Sequence, residues 1–201
     1  MVNTQRLLAT LALAAVCAVA VTAPAQARVD ATPGPWCGGT LWKLMTLSDK
    51  GRSTVKWTPA ATSVADIAKL VAPATAPSTR STPFQKQVWQ LSVVVDRYRV
   101  ASNGEIVLVL FDIPSATYMD AYLPNPKCLS SSSRGRADMI AARTAFLKCP
   151  APTVGWQQNG VSVVLSGVGF WNPAKSTKGS LPNGAEIRPV TSLKIVSGCG
   201  I

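Results

Sequence analysis

The sequence predicts a mostly β domain with one long helix, delivered to an oxidising compartment. Three observations predict it. An apolar stretch follows a single basic residue at the amino end, five later segments have strand length and strand patterning, and four cysteines lie beyond the leader.

The leader carries Arg6, an apolar run from Leu7 to Val21, and Ala25-Gln26-Ala27 with small residues where a signal peptidase cuts. The run is short and is broken by Pro24, which suits a cleaved signal better than a membrane anchor. Cys17 comes after the branched Val16, where a lipidated leader would place a small residue, so residues 1–27 are read as a signal peptide. The expected location is a periplasm or the cell exterior.

The remainder, Arg28 to Ile201, has the length of one domain. It divides into an N-terminal extension with a Pro/Thr-rich strap, residues 28–85, and a domain of strands, residues 86–201. Trp36, Trp42 and Trp57 sit among short apolar stretches that predict one or two strands. Ser63 to Val71 predicts a short helix with Val64, Ile67, Ala68 and Val71 on one side. Residues 72–83 are dense in Pro, Ala, Thr and Ser and predict an extended strap.

From Trp89 the pattern alternates in period two as far as Val100, with Arg97 and Arg99 near its end. Asn103-Gly104 marks a hairpin turn. Ile106 to Phe111 is apolar on both faces, as in a central strand, and Thr117 to Leu123 makes a third. Ser131 to Ser133 can cap a helix reaching about Lys148, with Met139, Ile140, Arg143 and Leu147 at helical spacing. Arg134 and Arg136 in that lead-in add to the basic surface. Val161 to Phe170 is a fourth strand and Ala185 to Val196 a fifth. Five strands with a helix between the third and fourth is the order of an OB-fold, a small Greek-key barrel. A different five-stranded α+β sheet is compatible with the same string.

Cys37, Cys128, Cys149 and Cys199 predict two disulfides, for which three connectivities exist. The expected pairing is Cys37–Cys199, joining the ends of the domain, and Cys128–Cys149, bracketing the helix. There is no Cys-x-x-Cys and no histidine, so no metal and no cofactor is expected. Absence of histidine also excludes an imidazole-based triad, and oxidised cysteines are not nucleophiles. With 20 Lys+Arg against 9 Asp+Glu the formal charge is +11, which favours anionic partners.

Gly167-Val168-Gly169-Phe170-Trp171 and Pro182-Asn183-Gly184-Ala185-Glu186-Ile187-Arg188-Pro189-Val190 resemble a family of small exported bacterial proteins. Its members carry the segment G-V-G-F-F-D-x-x-H-G-Q-T-G-x-A-P-N-G-I/L-E-L-H-P-V. Cys37-Gly38-Gly39-Thr40 with Trp42, and the turn Leu123-Pro124-Asn125-Pro126-Lys127-Cys128, match as well. The resemblance implies a shared fold over nearly the whole chain beyond the leader, and no activity. Registered without gaps, the family's two histidines fall on Lys175 and Arg188, and its aspartate on Asn172. Lysine and arginine stay protonated near neutral pH and offer no free lone pair, so they suit a phosphate or carboxylate rather than a metal.

These substitutions set the candidate anion-binding residues: Lys175 and Lys178 on the connection between the last two strands, Arg188 on the fifth strand, and Arg97 and Arg99. Alternation places Glu186, Arg188 and Lys194 on one face of that strand, opposite Ala185, Ile187, Leu193 and Ile195. Arg188 is therefore expected on a solvated face, weakly paired with Glu186. Trp89, Tyr98, Phe111, Tyr118, Tyr122, Phe170 and Trp171 are the aromatics that could stack on bases, against the commoner role of packing. Glu105, Asp112, Asp120 and Glu186 are scattered, without paired-carboxylate spacing. The leading expectation is a non-enzymatic module that binds nucleic acid, an anionic envelope polymer or another anionic partner. The alternatives are a metal-dependent phosphoesterase of nuclease type and a structural partner of another envelope protein.

Overall fold

The computed structural model describes residues 37–39, 41–172 and 178–199. The leader, Trp36 and Lys175 lie outside the described residues. The chain is mostly β, built on one six-stranded sheet. Its elements in order are helix α1 (Trp42–Met45), strand β1 (Lys56–Ala61), helix α2 (Val64–Ala68), strands β2 (Gln87–Val100), β3 (Ile106–Asp112) and β4 (Thr117–Leu123), helix α3 (Arg136–Leu147), and strands β5 (Gln157–Trp171) and β6 (Ala185–Ser197). The sheet runs β1-β2-β3-β4-β6-β5, and β2 also pairs with β5. β4 meets β6 in parallel through Ala121 and Ile187, and the β2–β3, β3–β4, β2–β5 and β5–β6 ladders are antiparallel.

The amino-terminal part differs from its expectation. Trp42 opens a short helix instead of a strand, whereas Trp57 does lie on a strand, β1, which joins the edge of β2 in parallel. Helix α2 forms where expected because the Ser63 hydroxyl accepts from the Asp66 amide at 3.1 Å and donates to its carboxylate at 2.7 Å. Val64 and Ile67 are buried, but the helix ends before Val71, which is 92% exposed. The strap at 72–83 carries no regular element, yet Arg80 within it is buried. Its guanidinium donates to Asp49 at 3.0 and 3.1 Å, and to the carbonyls of Leu44 at 2.6 Å and Gln85 at 3.2 Å. Burial lowers its pKa and the Asp49 carboxylate opposes that shift.

A large core fills the sheet, and a smaller cluster of Leu47, Val55, Val88 and Val168 packs with Trp57 beside it. Leu91, Val93 and Val95 of β2 meet Leu108 and Leu110 of β3, Met119 of β4, and Val163 and Leu165 of β5. Helix α3 closes the large core with Ala142 and Phe146, and Tyr98 stands edge-on to Phe146 at 5.4 Å between centroids. Val64, Ile67 and Phe84 belong to the same cluster, so the segment before β2 shares the core. Gly169 explains part of the Gly167 to Trp171 signature. A Cβ there would overlap the Phe84 carbonyl and ring, which lie directly on β5.

The lead-in to α3 is pinned. Arg134 donates to the carbonyls of Arg52, Ser53 and Val55 at 2.8, 3.2 and 2.9 Å, and lies 4.7 Å over the Trp57 ring.

The disulfides are Cys37–Cys128 and Cys149–Cys199, each with Cα atoms 5.3 Å apart, which corrects the expected pairing. Cys128 precedes α3 and Cys149 comes after it, and a 12-residue helix is about 18 Å long, beyond disulfide reach. Each cysteine instead bonds across to a different part of the chain.

Candidate anion site

The site begins with a β-bulge. Against β3 the pairing steps from Val95↔Leu110 to Arg97↔Val109, leaving Asp96 as the extra residue on β2. Against β5 the register shifts at the same place, from Val95↔Val161 to Arg97↔Gln158, with the extra residue on β5. Before it, the odd-numbered Leu91, Val93 and Val95 point into the core; after it, the even-numbered Tyr98 and Val100 do. Strict alternation would have driven Arg97 and Arg99 inward. The bulge turns both outward, into a cavity of about 430 Å³, of the size that holds a small ligand or one unit of a polymer.

Arg97, Arg99, Lys178 and Arg188 all line that cavity, with Glu105, Asp120, Tyr122 and Trp156. Four of the five cations singled out in the sequence therefore converge, although they come from β2, β6 and the connection between β5 and β6.

Their environments differ. Arg188 is not on a solvated face: the first half of β6, from Ala185 to Thr191, is buried on both sides. Its partner is Glu105 rather than the expected Glu186. The guanidinium takes Glu105 through Nη2 to Oε2 and through Nε to Oε1 at 3.3 Å. Its carbon lies 4.1 Å over the Tyr122 ring. Asn103 aims the carboxylate, donating from Nδ2 to Glu105 Oε2 at 2.7 Å and accepting from the Glu105 amide at 3.1 Å. The predicted hairpin turn thus becomes the clamp for a buried ion pair.

Glu186 is buried as well and accepts from Asn172 Nδ2 at 2.8 Å and from the Tyr122 hydroxyl at 3.4 Å. Burial first, then the carboxylates of Glu186 and Asp120, pushes the Tyr122 phenol far above its ordinary range, so it stays a donor. Three acids that look scattered in the sequence, Glu105, Asp120 and Glu186, are gathered around this phenol. The fourth, Asp112, is held in its turn by the Ser115 hydroxyl at 2.6 Å.

Lys178 is half-exposed at the cavity mouth, 3.1 Å from Asp96 Oδ2 and 4.5 Å over the Tyr118 ring. Contact with the Tyr118 hydroxyl, then with Asp96, holds its pKa above the usual value. The next residue, Gly179, packs so closely on Asp120 and Val109 that a Cβ would not fit. Arg97 Nε donates to the same Asp96 carboxylate at 3.2 Å.

Arg99 is the exception. Its guanidinium lies 5.0 Å over the Trp156 ring, and Nε is buried without a hydrogen-bond partner. Among the described residues it has no ion-pair partner.

No family model, curated protein or solved structure matches this chain. The site is therefore read from its own geometry.

Sequence reasoning missed Trp156 and Asp96. Trp156 precedes the predicted fourth strand, and nothing in period-two patterning attaches it to Arg99. Asp96 did carry a signal, since the apolar positions change parity between Val95 and Tyr98. The stacking aromatics divide: Phe170 and Trp171 are core, while Tyr118 and Tyr122 are covered by Lys178 and Arg188.

Proposed function

We propose that the chain is an exported, non-enzymatic binding module with an OB-type barrel, and that its cavity engages an anionic polymer or partner. The barrel reading is supported by pairings that run β2–β3–β4–β6–β5 and return to β2, with α3 between β4 and β5. The connection carrying Lys178 borders the cavity, as the loop before the last strand borders the ligand groove in such folds. The family resemblance is compatible with this, since the position of its second histidine, Arg188, lines the same cavity.

Arg99 carries the reading. It lines the cavity beside three other cations and, among the described residues, pairs with no carboxylate, so its guanidinium is left for an anionic ligand. Arg188 serves differently: committed to Glu105, it holds the cavity wall. Glu105 is likewise committed to Arg188 and Asn103, which favours binding over carboxylate-led hydrolysis.

Titration of the oxidised protein with a labelled anionic polymer, single-stranded DNA or a polyuronate, tests this. Binding is expected at low salt and to weaken steeply as salt rises. Arg99→Gln should lower affinity about tenfold or more, as for loss of a charge-assisted hydrogen bond. Lys56→Gln, an equal charge change on exposed β1 outside the cavity, should leave it unchanged. Equal losses from the two variants would show diffuse attraction and remove the site.

A further inference from the structure

The turn that carries Trp156 has a second property. Thr153 to Gln157 is closed on itself, with the Thr153 amide donating to Gln157 Oε1 at 2.7 Å. It is also tied to the end of β2, where the Val100 amide donates to the Thr153 carbonyl at 2.7 Å. These bonds hold out the residues between. Val154 is 77% exposed and Trp156 47% exposed, with Gly155 separating them. The pinned turn leaves Val154 almost wholly in water and Trp156 half in it, packed on its other side by the Arg99 guanidinium.

We propose that this tip docks the protein on an anionic lipid surface, with Val154 and Trp156 entering the headgroup–acyl boundary and Arg99 and Arg97 behind them taking lipid phosphate. The proposal rests on the anion reading of the cavity and names the source of the anion. Two features favour a lipid surface over a polymer. Val154 has no polar atom to offer a phosphodiester chain, whereas an apolar boundary rewards its burial. Trp156, an apolar ring with one polar N–H beside a cation, is the side chain suited to a membrane interface. The large excess of Lys+Arg over Asp+Glu beyond the leader supplies attraction of the right sign. Among the described residues no helix is long and apolar enough to cross a membrane.

The test compares vesicles of phosphatidylcholine alone with vesicles containing phosphatidylglycerol, using the disulfide-bonded protein recovered after export. Sedimentation with the anionic vesicles only is expected, with a blue shift in tryptophan emission that Trp156→Ser abolishes. Val154→Asp should weaken vesicle binding about tenfold or more while leaving affinity for soluble inorganic polyphosphate unchanged. Arg99→Gln should weaken both. If Val154→Asp and Trp156→Ser bind vesicles like the parent, or if polyphosphate binds and vesicles do not, the lipid proposal is overturned while the anion reading stands. Binding to neither overturns both.

Discussion

Arg188→Met should lower the unfolding free energy by about 3–5 kcal/mol, the cost of stranding a buried charge. Glu105, whose side chain is 1% exposed, would keep a carboxylate with Asn103 as its remaining side-chain donor. Against a typical total of about 5–15 kcal/mol, that loss would bring the domain close to unfolding. The remedy is specific. Adding Glu105→Gln removes the orphaned charge, and the double variant should recover a large part of the loss, because a buried ion pair adds little net stability over a neutral replacement. Urea unfolding with the disulfides intact gives the three midpoints. A single substitution costing under about 1 kcal/mol would mean that the pair behaves like a surface salt bridge and that this half of β6 is open to water.

Loss of either disulfide is the second large effect. Cys37–Cys128 closes a separation of 91 residues and Cys149–Cys199 one of 50. The chain-entropy account gives about 4–5 kcal/mol for each, differing by only about half a kcal/mol because the cost grows with the logarithm of loop length. Cys37→Ser/Cys128→Ser and Cys149→Ser/Cys199→Ser should therefore be destabilised almost equally. Peptide mapping without reduction should recover those two linkages. A fragment joining Cys128 to Cys149 would contradict the placement of α3 between them.

The strands were legible from apolar runs of strand length, period-two at the start of β2 and β5 and continuous where both faces are buried, as in β3 and the first half of β6. The short helix at Ser63 was legible from its cap. What failed depends on contacts distant in sequence. Arg188 and Glu186 look like a solvated pair on β6, but the cover over them comes from Glu105, Tyr122 and Asn172, on other elements. The disulfide partners are likewise set by where α3 crosses the sheet. Arg134 reads as surface charge, yet it bonds backbone carbonyls of the segment before β2, as does Arg80, which the sequence reading did not single out. Arg97, Arg99, Lys178 and Arg188 were legible as candidate cations and line one cavity, while Lys175 lies outside the described residues. Their division of labour was hidden, because it turns on the single extra residue at Asp96.

The most direct measurement is a side-chain NMR titration that follows the Arg99 Nε–H and Trp156 indole N–H resonances as a soluble anion such as polyphosphate is added at low salt. Both should shift and saturate together, while the Arg188 Nε–H, tied to Glu105, moves little. An Arg99 resonance that stays fixed while lysines across the surface shift would contradict the account.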